Sequence, residues 1–412
     1  MTRPSIYLTG GLVAVSLFLA ACEQKTTDQD DLKNQDLNSQ AMRIAQETII
    51  ADTHIDVPYR LEKKWEDVSK GTDGGDFDYP RAVKGGLNAP FMSIYTPAKY
   101  DGSEQATSHA HRMIDLVEKM VATAPEKFTI AKTVADMKTA FDQGKIALPL
   151  GMENGSPING KLDNLQAFYD RGIRYITLAH SKSNHISDSS YDKNRHYETG
   201  LSPFGEGLIH EMNKLGIMVD ISHVSDKAFY RAVELSKVPV IASHSSARHF
   251  TPGFERNMSD DMIKKLAETG GIIMINYGSS FVTKEANGYS AKMAADYQTY
   301  LTAQSENDTP EIKAAFEEKW KAENPYPFAS RDQVLDHIDH VVQLTGSADF
   351  VGIGSDYDGV GDSLPTGLKD VASYPNLIKG LLERGYSEAD IKKILSGNLI
   401  RVWSQVEAYA SQ

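Results

Sequence analysis

Five residues able to grip a metal ion stand at the ends of short apolar runs. His54 and Asp56 occur in Asp52-Thr-His54-Ile-Asp56, Glu153 follows Ile146-Ala-Leu-Pro-Leu-Gly-Met152, His223 ends Asp220-Ile-Ser-His223, and His244 ends Ile241-Ala-Ser-His244. Two residues apart on extended backbone, His54 and Asp56 point to one face, so His-x-Asp makes a two-pronged clamp. A carboxylate such as Glu153 at the end of so apolar a run is costly to bury without a counter-charge, which cations supply. Cys22 is the sole cysteine, so the donors are imidazole and carboxylate, a set that suits Zn²⁺, Mn²⁺ or Fe²⁺ with an open coordination position. A catalytic zinc usually keeps three protein ligands and a water. Five ligands are too many for one ion and about right for two that share Glu153. Two neighbouring ions that polarise a carbonyl and hold a hydroxide between them are the basis of two-metal hydrolysis.

Residues so far apart in the chain need a scaffold that brings strand ends together. Short β-rich runs fall at Thr48–Asp52, Ala89–Tyr95, Ile146–Met152, Arg174–Leu178, Gly216–Ser222, Pro239–Ser243, Gly271–Tyr277 and Phe350–Ser355. The later ones are continuously apolar, as in parallel strands covered on both faces. Amphipathic stretches at Glu206–Leu215, Lys227–Leu235 and Asp260–Thr269 lie between them, and Gly172, Gly216 and Gly270 stand where helix C-caps belong. Strand and helix alternate as in a parallel α/β sheet, open or closed. Polar residues decide between the two: His54, Asp56, Glu153, His180, His223, His244 and Asp356 end most of the runs. Only in a closed barrel does every strand end border one opening, so the expectation is a (β/α)8 TIM-like barrel. His337 and His340 lie within a helical pattern, Gln333–Leu344, and read as structural.

The remaining sequence sets the context. With 41% apolar and 24% charged residues the chain can bury a core, and a formal net charge of -13 opposes binding to nucleic acid. Residues 1–22 read as a signal segment: Arg3, a mostly apolar stretch from Ile6 to Ala20, then Leu19-Ala20-Ala21-Cys22, which resembles a bacterial lipobox. That resemblance implies cleavage before Cys22, acylation of Cys22, and anchoring in a lipid bilayer on the periplasmic side of the cell envelope. Residues 23–40 are polar and read as a tether, leaving 41–412 as the catalytic domain. Within it, residues 281–330 form a polar, helical-looking insertion after strand seven, with Tyr297, Tyr300 and Trp320. At that position it is a lid, a helical decoration or an oligomer contact. Nothing in the sequence fixes the oligomeric state; a homodimer is compatible with it.

From about residue 41 to 405 the chain resembles the membrane (renal) dipeptidase family of binuclear zinc peptidases. The matching segments, in family order, are D-T-H-I-D, G-M-E-N-G, Y-I-T-L-A-H-S, G-L-S-P-F-G, D-I-S-H-V-S, S-H-S-S-A-R, R-N-M-S-D-D and V-G-I-G-S-D-Y-D-G-V. The resemblance implies that His54, Asp56 and Glu153 hold one zinc and that Glu153, His223 and His244 hold the other. It implies that His180 helps bind substrate and the tetrahedral intermediate, that Arg256 pairs with the substrate carboxylate, and that Asp356 is the acid/base. Asp356 and Asp358 flank Tyr357 alike, and the choice of Asp356 follows the family. The implied reaction is hydrolysis of dipeptides, including those with a C-terminal D-residue, by a metal-bound hydroxide.

Other substrates suit the same metals, among them a different amide, a lactone or a phosphoester. A peptide-binding lipoprotein with a structural metal is disfavoured, since structural zinc sites are closed and commonly rich in cysteine. One departure from the family pattern is Asn154-Gly155, where relatives carry a longer glycine and histidine run.

Overall fold

The computed structural model describes residues 1–2, 34–304 and 307–412; the signal segment with Cys22 and most of the tether lie outside the described residues. Residues 34–47 are helical, so the final part of the polar segment enters a helix ahead of the first strand.

Eight parallel strands close into a ring. In chain order they are Ile50–Ile55, Leu87–Tyr95, Leu150–Glu153, Ile173–Thr177, Met218–Asp220, Ile241–Ala242, Ile272–Ile275 and Val351–Ile353. Each pairs with the next, and the last returns to the first at Asp52 and Ile353. The expected barrel is present, with one correction to its strands. The run Ile146–Met152 is two strands, because Pro149 lacks the N–H that a continuous ladder requires. Ile146–Leu148 pairs with Phe128–Ile130 in a separate two-stranded sheet, and only Leu150–Glu153 joins the barrel.

Local chemistry explains the helices. Ser202, Ser225 and Ser259 accept backbone hydrogen bonds at the starts of Pro203–Leu215, Asp226–Leu235 and Asp260–Glu268, each satisfying an orphan N–H. Ser330 and Gln333 form a reciprocal capping box on Arg331–Thr345. Gly172 and Gly216 end helices at φ 112° and 85°, backbone that a Cβ would strain.

Inside the ring, Ala51, Ala89, Phe91, Tyr175, Met218, Ile241, Ile272 and Met274 pack with Leu399, Val402 and Trp403 of the C-terminal helix Asn398–Ala410. Phe91 and Trp403 meet with ring centroids 5.4 Å apart, so this helix plugs the end of the barrel remote from the strand C-termini. The insertion is helical as expected. Lys284–Gln304 and Pro310–Glu323 run antiparallel, joined by Tyr289 against Trp320 at 5.0 Å and Tyr297 against Phe316 at 5.2 Å. Trp320 Nε1 donates to Asp296 Oδ2 at 2.8 Å.

His337 is the structural residue that its helical setting implied. It is fully buried, its Nδ1 accepts from Ala247 N at 3.0 Å, and its Nε2 donates to Val282 O at 3.0 Å. Burial pushes its pKa down to about 4, against the bond to Val282, which raises it. The unfolded chain takes up this proton near 6.5, so the native advantage is complete above that pH and is lost as pH falls toward 4. Its size is on the order of 3 kcal/mol. In metal-stripped protein, Tm is expected to fall more steeply between pH 7 and 4.5 for wild type than for His337→Gln; parallel slopes would refute the assignment.

Candidate metal centre

The five expected ligands converge at the C-terminal mouth of the barrel. Glu153, at the end of the third strand, lies at the centre. Its Oε2 is 3.5 Å from His54 Nε2, while its Oε1 is 3.2 Å from His223 Nε2, 3.3 Å from His244 Nε2 and 3.4 Å from His180 Nε2. Asp56 Oδ2 lies 3.4 Å from His54 Nε2, and the Nε2 atoms of His223 and His244 are 2.8 Å apart. The His54 and His244 rings stack at 3.7 Å. All five ligands are buried. His223 adopts φ 69°, left-handed backbone that is uncommon outside glycine and that is found where a structure holds a residue for function.

The clamp is not built by strict strand alternation. Asp52 reaches out of the barrel to accept from Tyr374 Oη at 2.5 Å, whereas His54 reaches inward to Tyr175 Oη. The pairing with the second strand shifts register between Asp52 and Ile55, and that irregularity turns His54 into the mouth. Asp52 is fully buried and also accepts from His54 N at 3.1 Å and Ser355 N at 3.0 Å, fixing the first and last strand ends together.

Two networks set which ring nitrogen faces the centre. Tyr175 Oη donates to Thr53 O at 2.9 Å, so at 2.9 Å from His54 Nδ1 it accepts that nitrogen's proton. Gly151 makes room for this ring, since a Cβ there would come within 1.9 Å of Tyr175 Cζ. Ser243 Oγ donates to Asp220 Oδ2 at 2.6 Å and is 2.7 Å from His244 Nδ1, from which it accepts. Asp220 also takes backbone N–H bonds from Ser222 at 3.0 Å and Ser243 at 2.8 Å, and a hydroxyl bond from Thr177. Both arrangements engage Nδ1 and turn Nε2 toward Glu153, as the hydrogen-bond partners of metal-binding histidines do.

Charge at the centre is mutually compensated. Burial works against ionised Glu153, but His180, His54, His223 and His244 outweigh it and hold the carboxyl well below its usual range. Burial also opposes charge on His54, where Tyr175, Glu153 and Asp56 prevail and raise its pKa. His223 and His244 are driven well down, by burial first. With His223 and His244 held neutral, their Nε2 atoms 2.8 Å apart, and a buried His54 Nε2 that has no hydrogen-bond partner, the site fits divalent cations with nitrogen and oxygen ligands.

The other expected residues surround this core. Asp356 stands beside it at φ 65°, its Oδ2 accepting from Asn276 Nδ2 at 2.7 Å, and one of its oxygens lies within 4.8 Å of ligand atoms of His54 and Asp56. Burial first, then Asp56 and Glu153, push its pKa up to about 7 against His54 and Asn276. A Cβ on Gly359 would meet Asp356 Oδ1 at 2.2 Å and Asp56 Oδ2 at 2.3 Å, so this loop approaches both carboxylates as glycine alone permits. Asp358 instead accepts from Asp76 N at 2.7 Å and Arg60 Nη1 at 3.2 Å, away from the ligands. Arg256 is buried, donating to Ser245 Oγ and His244 O at 2.8 Å each, and its Nε has no hydrogen-bond partner. It stands behind the cavity wall, 5.3 Å from the centre of the Phe281 ring.

A cavity of about 550 Å³ opens over the ligands, walled by Tyr59, Tyr95, His180, Tyr191, Phe281 and Val360. Among the described residues of the insertion segment, Phe281 alone, at its root, lines this cavity, beside the preceding Ser280; the long helical pair does not. The aromatic wall, Tyr175, Ser243 and Asn276 were not anticipated from sequence. Asp52 and Asp220 carried a legible signal, as acids within otherwise apolar runs just ahead of histidines.

A profile described as membrane dipeptidase (peptidase family M19) matches residues 38–412. An uncharacterised dipeptidase of Schizosaccharomyces pombe is 30% identical over 373 residues, covering 87% of this chain and 81% of that protein. Dipeptidase 3 of Mus musculus is 32% identical over 379 residues, 90% of this chain and 67% of the mouse protein. Among solved structures, the probable dipeptidase PvdM from Pseudomonas aeruginosa aligns with a TM-score of 0.78 at 25% identity, covering 91% of this chain and 100% of that one. A metallo peptidase from Rhodobacter sphaeroides, liganded with a phosphinate mimic of the dipeptide L-Ala-D-Ala, aligns with a TM-score of 0.71 at 25% identity over 87% and 99%. With the barrel, the convergent imidazoles and carboxylates and a match along nearly the whole described domain, the chain belongs to the membrane dipeptidase family, peptidase family M19, and is a metal-dependent dipeptidase.

Proposed function

We propose that the chain hydrolyses dipeptides with two zinc ions, one held by His54, Asp56 and Glu153 and the other by Glu153, His223 and His244. The observation that carries this reading is the division of Glu153, with Oε2 toward His54 and Oε1 toward His223 and His244. When bound, such ions supply Lewis-acid polarisation of the scissile carbonyl and acidify a water.

The chain's own groups do the rest. Asp356, buried beside Asp56 with its Oδ2 held by Asn276, is the group placed to carry a proton to the leaving amine. His180 sits half-open at the mouth, neutral because burial lowers its pKa against the pull of Glu153, and hydrogen-bonds the carbonyl oxygen as charge develops there. Arg256, buried beside the centre with its Nε unpartnered, supplies the positive charge for a free substrate carboxylate. The aromatic cavity limits the substrate to a small molecule. The same stereochemical openness implied by the family extends the substrates to C-terminal D-residues.

The rest of the reading concerns location. The lipobox-like Leu19-Ala20-Ala21-Cys22 places the mature chain on a lipid anchor at the periplasmic side of the envelope. Among the described residues, no helix is long and apolar enough to cross a membrane.

Glu153→Gln is expected to lower dipeptide turnover by at least about 1000-fold and to reduce bound zinc, with an unchanged far-ultraviolet circular dichroism spectrum; retained turnover would remove the bridging role. Arg256→Ala should cost roughly 100-fold in kcat/KM on dipeptides with a free carboxylate and little on C-terminally amidated ones, and an equal loss on both would move the substrate carboxylate elsewhere. Cys22→Ser should shift the protein from the membrane pellet to the soluble fraction, with fatty-acid labelling lost; persistent pelleting would exclude the anchor.

A further inference from the structure

Away from the barrel mouth, His249, Asp260 and His340 form a second group of metal-ligating type, with one ligand atom from each lying within 4.8 Å of the others. They come from three elements: the turn Arg248–Phe250, the first residue of the helix Asp260–Glu268, and the helix Arg331–Thr345. His340 Nε2 is 2.8 Å from Asp260 Oδ1, and the His249 ring stacks on His340 at 4.4 Å with planes 26° apart. Among the described residues neither nitrogen of His249 has a hydrogen-bond partner, and Asp260 pairs with no lysine or arginine. The nearest basic neighbour in the turn, Arg248, is committed to Asp226 through two bonds at 2.8 and 2.5 Å. A cleft of about 320 Å³ adjoins His249, lined among others by Lys284, Glu285 and Asp336.

Stacked surface imidazoles repel one another once both are protonated, and a lone carboxylate satisfies only one of them. A divalent ion satisfies all three at once. Two imidazoles and one carboxylate, half-exposed and without sulfur, match a zinc-class ion whose remaining position goes to water. We propose that His249, Asp260 and His340 bind one such ion, separate from the catalytic centre. The ion ties the turn after the sixth strand to two outer helices. On the same helix as His340, His337 bonds Ala247 and Val282, so the bound ion also braces the root of the segment that places Phe281 in the catalytic cavity.

The test is a comparison of zinc content. Metal-stripped full-length protein, His249→Ala and His249→Ala/His340→Ala are reloaded with Zn²⁺, desalted, and measured by atomic spectrometry alongside dipeptide turnover. The exposed His249 is the conservative site, should loss of the His340 bond disturb packing. Both variants should hold one equivalent fewer than wild type and keep turnover within about twofold, and added zinc should raise the Tm of wild type more than that of His249→Ala. Equal zinc content in all three proteins, or a deficit matched by lost turnover, overturns the assignment. Because the readout is a difference between proteins, it stands apart from the number of catalytic ions: an error there lowers all three totals together.

Discussion

The costliest feature of this molecule is one carboxylate, Glu153, buried at the end of an apolar strand with four imidazole nitrogens within 3.5 Å. A charge in such surroundings is tolerable only when polar groups are held around it from several directions. No single helix or hairpin can supply that. The ring of strands can, because His54, His180, His223 and His244 come from four different strand ends that share one opening with Glu153. Closure of the barrel and compensation of this carboxylate are therefore one requirement viewed at two scales.

Compensation alone would leave the rings free to turn. Tyr175 and Ser243 prevent this by each accepting a proton from a ligand's Nδ1 while donating to a fixed oxygen, Thr53 O or Asp220 Oδ2. The orientation of an imidazole is thereby referred to backbone and to a second buried acid rather than to solvent. Asp52 does the same for the chain itself, gathering the N–H groups of His54 and Ser355 and the hydroxyl of Tyr374. Such networks are valuable when fully satisfied and expensive when partly so, which explains why the acids lie so deep.

Much of this was legible in the sequence, for a definite reason. Candidate metal ligands are polar residues that interrupt apolar strands, and interruptions stand out: the five that converge on the mouth, with His180 and Asp356, were read from that contrast, and so was the closed ring that lets them meet. The orientation of a side chain that reaches across the barrel has no local signature. Tyr175 looks like any buried aromatic in Ile173–Thr177, and only Gly151 on the neighbouring strand marks the space it fills. The division of Ile146–Met152 escaped a reading by hydropathy because both halves are apolar, although Pro149 marked the break. Asp356 and Asp358 could not be told apart by alternation, since both adopt left-handed backbone and turn opposite ways.

The C-terminal helix carries a consequence for how the molecule comes into being. Trp403 and its neighbours stopper the barrel, and the first strand finds its final partner only at Ile353. Contacts that span so much of the chain are slow to form. The nascent polypeptide therefore has to extend past Ile353 before the ring around Glu153 can close, and a premature stop near residue 390 would leave that ring without its stopper rather than merely shorter.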